Sequence, residues 1–211
     1  MEARPASSQG RAKPLCARPP GRTTLSLTPK PPPPFTIRAA TPQDARALLA
    51  SMQHLLSEPG HNLRLDADEF TLTEQQEAAF IEALRDAPNS TMVLAQARDA
   101  VVGVLTLQGG KSRAEAHLTA LGISVGPGWR GRGIGSALWQ ACQSWLMNTP
   151  QVRQVLLCVL ARNLEAVRLY QRWGFVEEGR LQRDMFRAGQ YVEYAGDGPL
   201  AGQALAPFRG S

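Results

Sequence analysis

The stretch Val125-Gly-Pro-Gly-Trp-Arg-Gly-Arg-Gly-Ile-Gly-Ser136 places five glycines and two arginines in twelve residues. Glycine lets backbone N–H groups come close to a ligand. The guanidinium groups of Arg130 and Arg132 suit phosphate oxygens. A helical pattern begins near Gly133, and the free N–H groups and dipole of a helix start favour an anion. Together these residues describe an anion cradle, with a pyrophosphate as a natural guest. The same residues also read as a strand-to-helix turn with solvated arginines. A Walker A loop is excluded because no lysine stands in its place, and the dinucleotide fingerprint Gly-x-Gly-x-x-Gly fails in both registers.

Nucleophile and metal chemistry find less support. Cys16, Cys142 and Cys158 are widely spaced, with no metal-ligand pattern. Neither Cys142 nor Cys158 has a basic neighbour in sequence, so both read as buried, reduced thiols.

The elements that must position the glycine stretch follow from caps and periodicity. Phe35 to Ala39 reads as a short strand. Thr41, Pro42 and Asp44 open a helix that runs to about Ser57. Thr73 and Gln76 form a capping box for a second helix, ending near Pro88. Thr91–Ala97 and Val101–Leu107, joined by a short polar link, predict a hairpin. A third run spans His117 to Val125. The glycine stretch leads into a helix over 133–147. Val152 to Leu160 reads as one strand buried on both faces. Asn163 to Trp173 is a short helix with Gly174 as its cap, followed by strands over 175–185 and 190–194. The order predicts a mixed α/β (α+β) sheet, not a doubly wound one.

Residues 1–34 hold nine of the sixteen prolines, and six basic residues against Glu2 alone, which accounts for the net charge of +5. We read 1–34 as a disordered Pro/Arg-rich tail, 35–200 as the folded domain and 201–211 as a flexible end. The remaining 177 residues are formally neutral, so the basic balance does not predict nucleic-acid binding. No apolar stretch reaches membrane-spanning length and no secretory signal is visible. A cytoplasmic protein is expected.

Val125-x-Pro127-x-x-Arg130-Gly131-x-Gly133-Ile134-Gly135-Ser136-x-Leu138 resembles the acyl-CoA loop of the GNAT superfamily of N-acetyltransferases. A second signature lies beyond the next strand. Asn163-Leu-Glu-Ala166-x-x-Leu169-Tyr170-x-x-x-Gly174-Phe175 is similar to that family's Asn-x-x-Ala-x-x-x-Tyr-x-x-x-Gly-Phe. The resemblance covers about residues 35 to 200. It implies a mostly antiparallel sheet of about six or seven strands, about four helices, and a splayed central strand pair.

The resemblance also implies direct acetyl transfer from acetyl-CoA, without a metal, to a primary amine of a small molecule or amino acid. A protein N-terminus or lysine is the alternative acceptor, and a non-catalytic acetyl-CoA-binding module is a second alternative. It assigns the cofactor to Arg130, Gly131, Arg132, Gly133, Ile134, Gly135 and Ser136, to the backbone of Ile123, Ser124 and Val125, and to Asn163 and Tyr170. Asn163 also reads as a plain helix cap. Tyr170 is the implied acid for the departing thiolate. The base is unassigned: relatives often carry a glutamate where this chain has Thr119-Ala120. His117, on the same strand face as Thr119, is a candidate base; Glu115 and a bare water are the others. The resemblance leaves a homodimer through the terminal strands open.

Overall fold

The computed structural model describes residues 35–187, 190–195 and 201–204. The segment 1–34, read as a tail, lies outside them. Among the described residues the chain forms nine strands and four α-helices.

Strand β1 (Thr36–Ala39) leads through Thr41 into helix α1 (Ala45–Leu56). The Thr41 N–H and hydroxyl both donate to the Asp44 carboxylate, at 2.8 and 2.9 Å, so the predicted cap closes as a 3-10 turn ahead of α1. Helix α2 (Glu74–Asp86) starts at the predicted capping box, with Gln76 N–H donating to Thr73 Oγ1 at 3.2 Å and Thr73 N–H to Gln76 Oε1 at 2.9 Å. Strands β2 (Thr91–Ala97) and β3 (Ala100–Gly109) form the predicted hairpin. Its link contains Arg98 at φ 53°.

After β4 (Leu118–Val125) and the glycine stretch comes helix α3 (Ile134–Met147). The predicted single strand over 152–160 is two: β5 (Gln154–Leu157) and β6 (Val159–Leu160), broken at Cys158. Helix α4 (Leu164–Arg172) and the hairpin β7 (Arg180–Arg187) and β8 (Gln190–Ala195) follow. A last strand, β9 (Ala201–Ala204), pairs with β5, so the sheet extends into the segment read as a flexible end.

The strands form a six-stranded sheet, β1-β2-β3-β4-β5-β9, and a three-stranded one, β6-β8-β7. All pairs are antiparallel except β4 with β5. The class is the expected mixed one. The closing hairpin takes its own sheet because the 154–160 run changes partners at Cys158: β5 pairs with β4 and β9, while β6 pairs with β8.

Helices cover both faces of the larger sheet. Helix α3 packs Ile134, Leu138, Trp139 and Cys142 on one face, against Leu105, Leu107 and Val155. Helices α1 and α2 pack Leu48, Ile81 and Leu84 on the other, against Met92 and Leu94. Helix α3 covers the face that carries Leu121 of β4 and Val155 of β5, while α1 and α2 pack on β2 and β3. No helix among the described residues is long and apolar enough to cross a membrane.

Candidate active site

The parallel ladder between β4 and β5 is short. It holds Leu118 opposite Gln154, Thr119 opposite Val155 and Ala120 opposite Leu156, and then ends. Among the described residues, β4 continues to Val125 with only β3 beside it. β6, the continuation of β5, has turned to β8. The two central strands therefore part after Ala120, leaving one edge of β4 open from Leu121 to Val125.

Strand alternation decides which groups line that edge. Gly126 N–H donates to Val102 O at 2.9 Å, across the β3 ladder. Alternate residues share that direction, so the backbone groups of Ser124 and Gly122 face β3. Those of Ile123 and Val125 face the opening. Of the three residues assigned to the cofactor's arm, Ile123 and Val125 turn their backbone N–H groups there and Ser124 does not; the Val125 carbonyl is taken by Arg130 Nε.

The glycine stretch turns from β4 into α3 at the wide end of this opening. Gly128, Gly131 and Gly133 sit at φ of 75°, 71° and 79°. Among the described residues, nothing lies within 4 Å of where a Cβ would stand on any of them. Glycine is needed there for backbone conformation, while the space around each is open. Helix α3 starts at Gly133 without a side-chain cap. Its first backbone bond is Ala137 N–H to Gly133 O at 3.0 Å. The N–H groups of Ile134, Gly135 and Ser136 thus have no partner among the described residues, and they carry the positive end of the helix dipole. Free amides, a left-handed glycine turn and open space fit a diphosphate.

The arginines behave differently from one another. Arg130, expected to face the phosphates, forks onto Glu58: Nη1 donates to Oε1 at 2.7 Å and Nη2 to Oε2 at 2.5 Å. Its Nε donates to Val125 O at 3.1 Å. Arg132 lies over the Trp129 ring, 5.3 Å from its centroid. Glu58 had no signature in the sequence, since a carboxylate in a helix-ending turn has no periodicity to betray it.

Helix α4 meets the same place from the other side. A Cβ on Gly135 would stand 3.7 Å from Ile123 Cδ1 and 3.9 Å from Leu169 Cδ2. The first turn of α3, the open edge of β4 and the middle of α4 therefore converge. Tyr170 follows Leu169 and is half-buried. Its ring meets Trp173 edge-on at 5.7 Å and Phe175 at 5.9 Å, and Trp139 of α3 stacks on Trp173 at 5.3 Å. This aromatic group fixes Tyr170 relative to α3. Burial pushes the phenol up to about 12, so it stays protonated and able to donate throughout the neutral range. Asn163 Oδ1 accepts from Ala166 N–H at 3.3 Å, the geometry of a helix cap. Gly174, at φ 89°, ends the helix as predicted.

His117 is not brought to this place. It is exposed, and its carbonyl accepts from Arg153 and Gln154 N–H at 2.8 and 3.2 Å, at the closed end of the ladder. Six residues separate it from Ile123, about 20 Å along a strand. Glu115 is also exposed, in a turn before β4, and accepts from Ser112 Oγ at 3.0 Å. Cys142 is fully buried, and burial pushes its thiol up to about 12, which removes it as a nucleophile.

A sheet that opens between its two central parallel strands, beside a glycine turn and an uncapped helix start, has the room and the backbone donors for a long anionic ligand. The Acetyltransferase (GNAT) family matches residues 50–175, and the chain belongs to it. It is 32% identical over 116 residues to the L-amino acid N-acetyltransferase AaaT of Escherichia coli (strain K12), covering 53% of this chain and 69% of that protein. It is similar to the GNAT-family acetyltransferase structure from Streptococcus pneumoniae (TM-score 0.75, 27% identity, 81% of this chain and 99% of that one). The yncA structure from Salmonella typhimurium, which contains its cofactor acetyl-CoA, shares the fold (TM-score 0.67, 16% identity, 84% and 98% covered). The chain is thus an N-acetyltransferase enzyme, and the reading as a non-catalytic module is set aside.

Proposed function

We propose that the chain moves an acetyl group from acetyl-CoA directly to the primary amine of an amino acid or similar small molecule. The observation that carries this reading is the parting of β4 from β5 where the uncapped start of α3 and Leu169 of α4, the residue before Tyr170, converge. The name of the Escherichia coli relative, an L-amino acid N-acetyltransferase, supports the choice of acceptor.

Each residue then has a task. The amides of Gly131 to Ser136 bind the diphosphate, with Arg132 adding charge. The open-edge backbone of Ile123 and Val125 pairs with the extended arm as a further strand would. One of those N–H groups donates to the thioester carbonyl oxygen as it gains charge. Asn163 holds the start of α4. Bound acetyl-CoA supplies an activated acyl group. Tyr170 donates its phenolic hydrogen toward the sulfur as the C–S bond breaks. With its pKa at about 12, full transfer to a thiolate of conjugate-acid pKa about 8.5 is uphill by several units. The phenol therefore acts mainly as a hydrogen-bond donor that stabilises the leaving thiolate.

The acceptor amine reaches the site with its proton already lost or passes it to water. A terminal α-amine, with pKa about 8, does this more easily than a lysine, near 10.4, which disfavours a lysine acceptor. The test is release of free thiol from acetyl-CoA against panels of amines, amino acids and peptides. Stimulation by amino acids supports the reading. Stimulation by peptides alone moves the acceptor to a protein N-terminus or lysine, and silence on every amine overturns it.

A further inference from the structure

Arg130 ties its own loop to two other parts of the chain. Its two terminal nitrogens hold Glu58, 72 residues away in sequence, and its Nε holds the carbonyl of Val125, the last residue of β4. Glu58 itself is anchored. Its N–H donates to Leu55 O at 3.2 Å and its carbonyl accepts from His61 N–H at 3.2 Å. It therefore stands on a formed turn at the exit of α1. Beyond it, residues 57–73 contain no helix or strand. A connection of that length is commonly functional, and it belongs to the helices on the sheet face opposite α3.

The charge balance bears on what Arg130 does. The carboxylate cancels the guanidinium charge and holds it in a fixed fork. A carboxylate beside a diphosphate would repel it, so a chain that used Arg130 simply as a phosphate ligand gains nothing from Glu58. A bridge that fixes the loop gains its second anchor. Arg132 keeps the role of the loop cation without a carboxylate partner among the described residues.

Resting on the proposed function, we infer that the Glu58–Arg130–Val125 bridge is a positioning device. It sets the cofactor loop against the end of β4 and couples it to the α1–α2 connection, so that cofactor binding orders residues 57–66. Arg130 acts through the loop backbone it holds. The side chains are 51% and 28% exposed for Arg130 and Glu58, so the pair is screened and its effect is modest. A bidentate pair of this kind corresponds to about a three- to tenfold change in an equilibrium constant.

The test combines a double-mutant cycle with hydrogen exchange on the full chain. CoA dissociation constants are measured by calorimetry for the parent, Glu58→Gln, Arg130→Gln and the double variant. Each single substitution is expected to weaken CoA binding by about three- to tenfold, and the double variant to be no weaker than the worse single. CoA should slow amide exchange across 57–66 in the parent and not in Glu58→Gln. Without CoA, Glu58→Gln should already quicken exchange in both 57–61 and 126–133. Tighter or unchanged CoA binding in Glu58→Gln, additive losses, or CoA protection of 57–66 that survives the substitution would each overturn the inference. A parent that binds no CoA defeats the proposed function instead, and the ligand-free exchange comparison still decides on the bridge.

Discussion

Gly133 is the residue at which backbone conformation and ligand approach can be separated by substitution. It caps α3 at φ 79°, in the left-handed region. A Cβ there meets no atom of the described residues within 4 Å, so steric overlap with them adds nothing to the cost. What remains is the left-handed penalty, roughly 1–2 kcal/mol for a residue such as alanine. For a domain of this size each kcal/mol lowers the melting temperature by about 2–4 °C. Gly133→Ala should therefore melt about 2–8 °C lower. Gly133→Asn should recover at least half of that loss, because asparagine tolerates the left-handed region.

Cofactor binding should not recover with it. Both side chains enter the open space in front of the α3 amides, where the diphosphate is proposed to sit. Displacing one charge-assisted amide contact costs about 1.5–3 kcal/mol, or roughly ten- to a hundredfold in affinity. Thermal melting and CoA calorimetry on both variants provide the assay. Equal melting temperatures for parent and Gly133→Ala would refute the conformational part. Parent-like CoA affinity in Gly133→Asn would refute the placement of the ligand.

Further outcomes are expected. Tyr170→Phe should lower kcat by about a hundredfold or more while CoA affinity stays within about twofold, as read by steady-state kinetics and calorimetry. With the phenol pushed up to about 12, the protonated form persists below that value, so the parent's activity should show no alkaline loss from Tyr170 below pH ~11. Gly109→Ala should be strongly destabilising, by about 2–3 kcal/mol in urea unfolding. A Cβ there overlaps the Asn89 amide, which donates to Gly110 O and Ala116 O at 3.2 and 3.3 Å. The Arg38 fork onto Asp44, at 2.8 and 2.6 Å, is the main cause that holds this carboxyl down at about 2 against an ordinary 3.8, with burial opposing and Thr41 assisting. Because the folded value is the lower one, this stabilisation is present above pH ~4 and is lost as pH falls through about 2. Asp44→Asn should cost roughly 2 kcal/mol at neutral pH, and the gap to the parent should close in acid.

Local signals carried much of this structure. Thr41 with Asp44, Thr73 with Gln76, and Gly174 are caps whose partners lie within a few residues, and each ends or begins its helix as read. The glycine stretch was legible because three left-handed positions demand glycine whatever surrounds them. The parting of the central strands was not legible from the residues themselves. Val152 to Leu160 is one apolar run in sequence, and the change of partner at Cys158 depends on strands that come later in the chain. The same non-locality hid the separate three-stranded sheet and the pairing of Ala201–Ala204 with β5. It also hid Glu58, since an arginine beside glycines reads as a phosphate ligand until its partner is seen. His117 was chosen for strand parity with Thr119. Parity fixes the face of a strand and says nothing of distance along it, which is what separates His117 from the opening.

The most direct test is an amide NMR titration of the full chain with CoA. The account predicts the largest shifts at Ile123, Val125 and the run from Gly131 to Ser136, with Ser124 changing less because its N–H is committed to β3. Unperturbed amides at those positions, with shifts centred elsewhere or on Ser124, would contradict it.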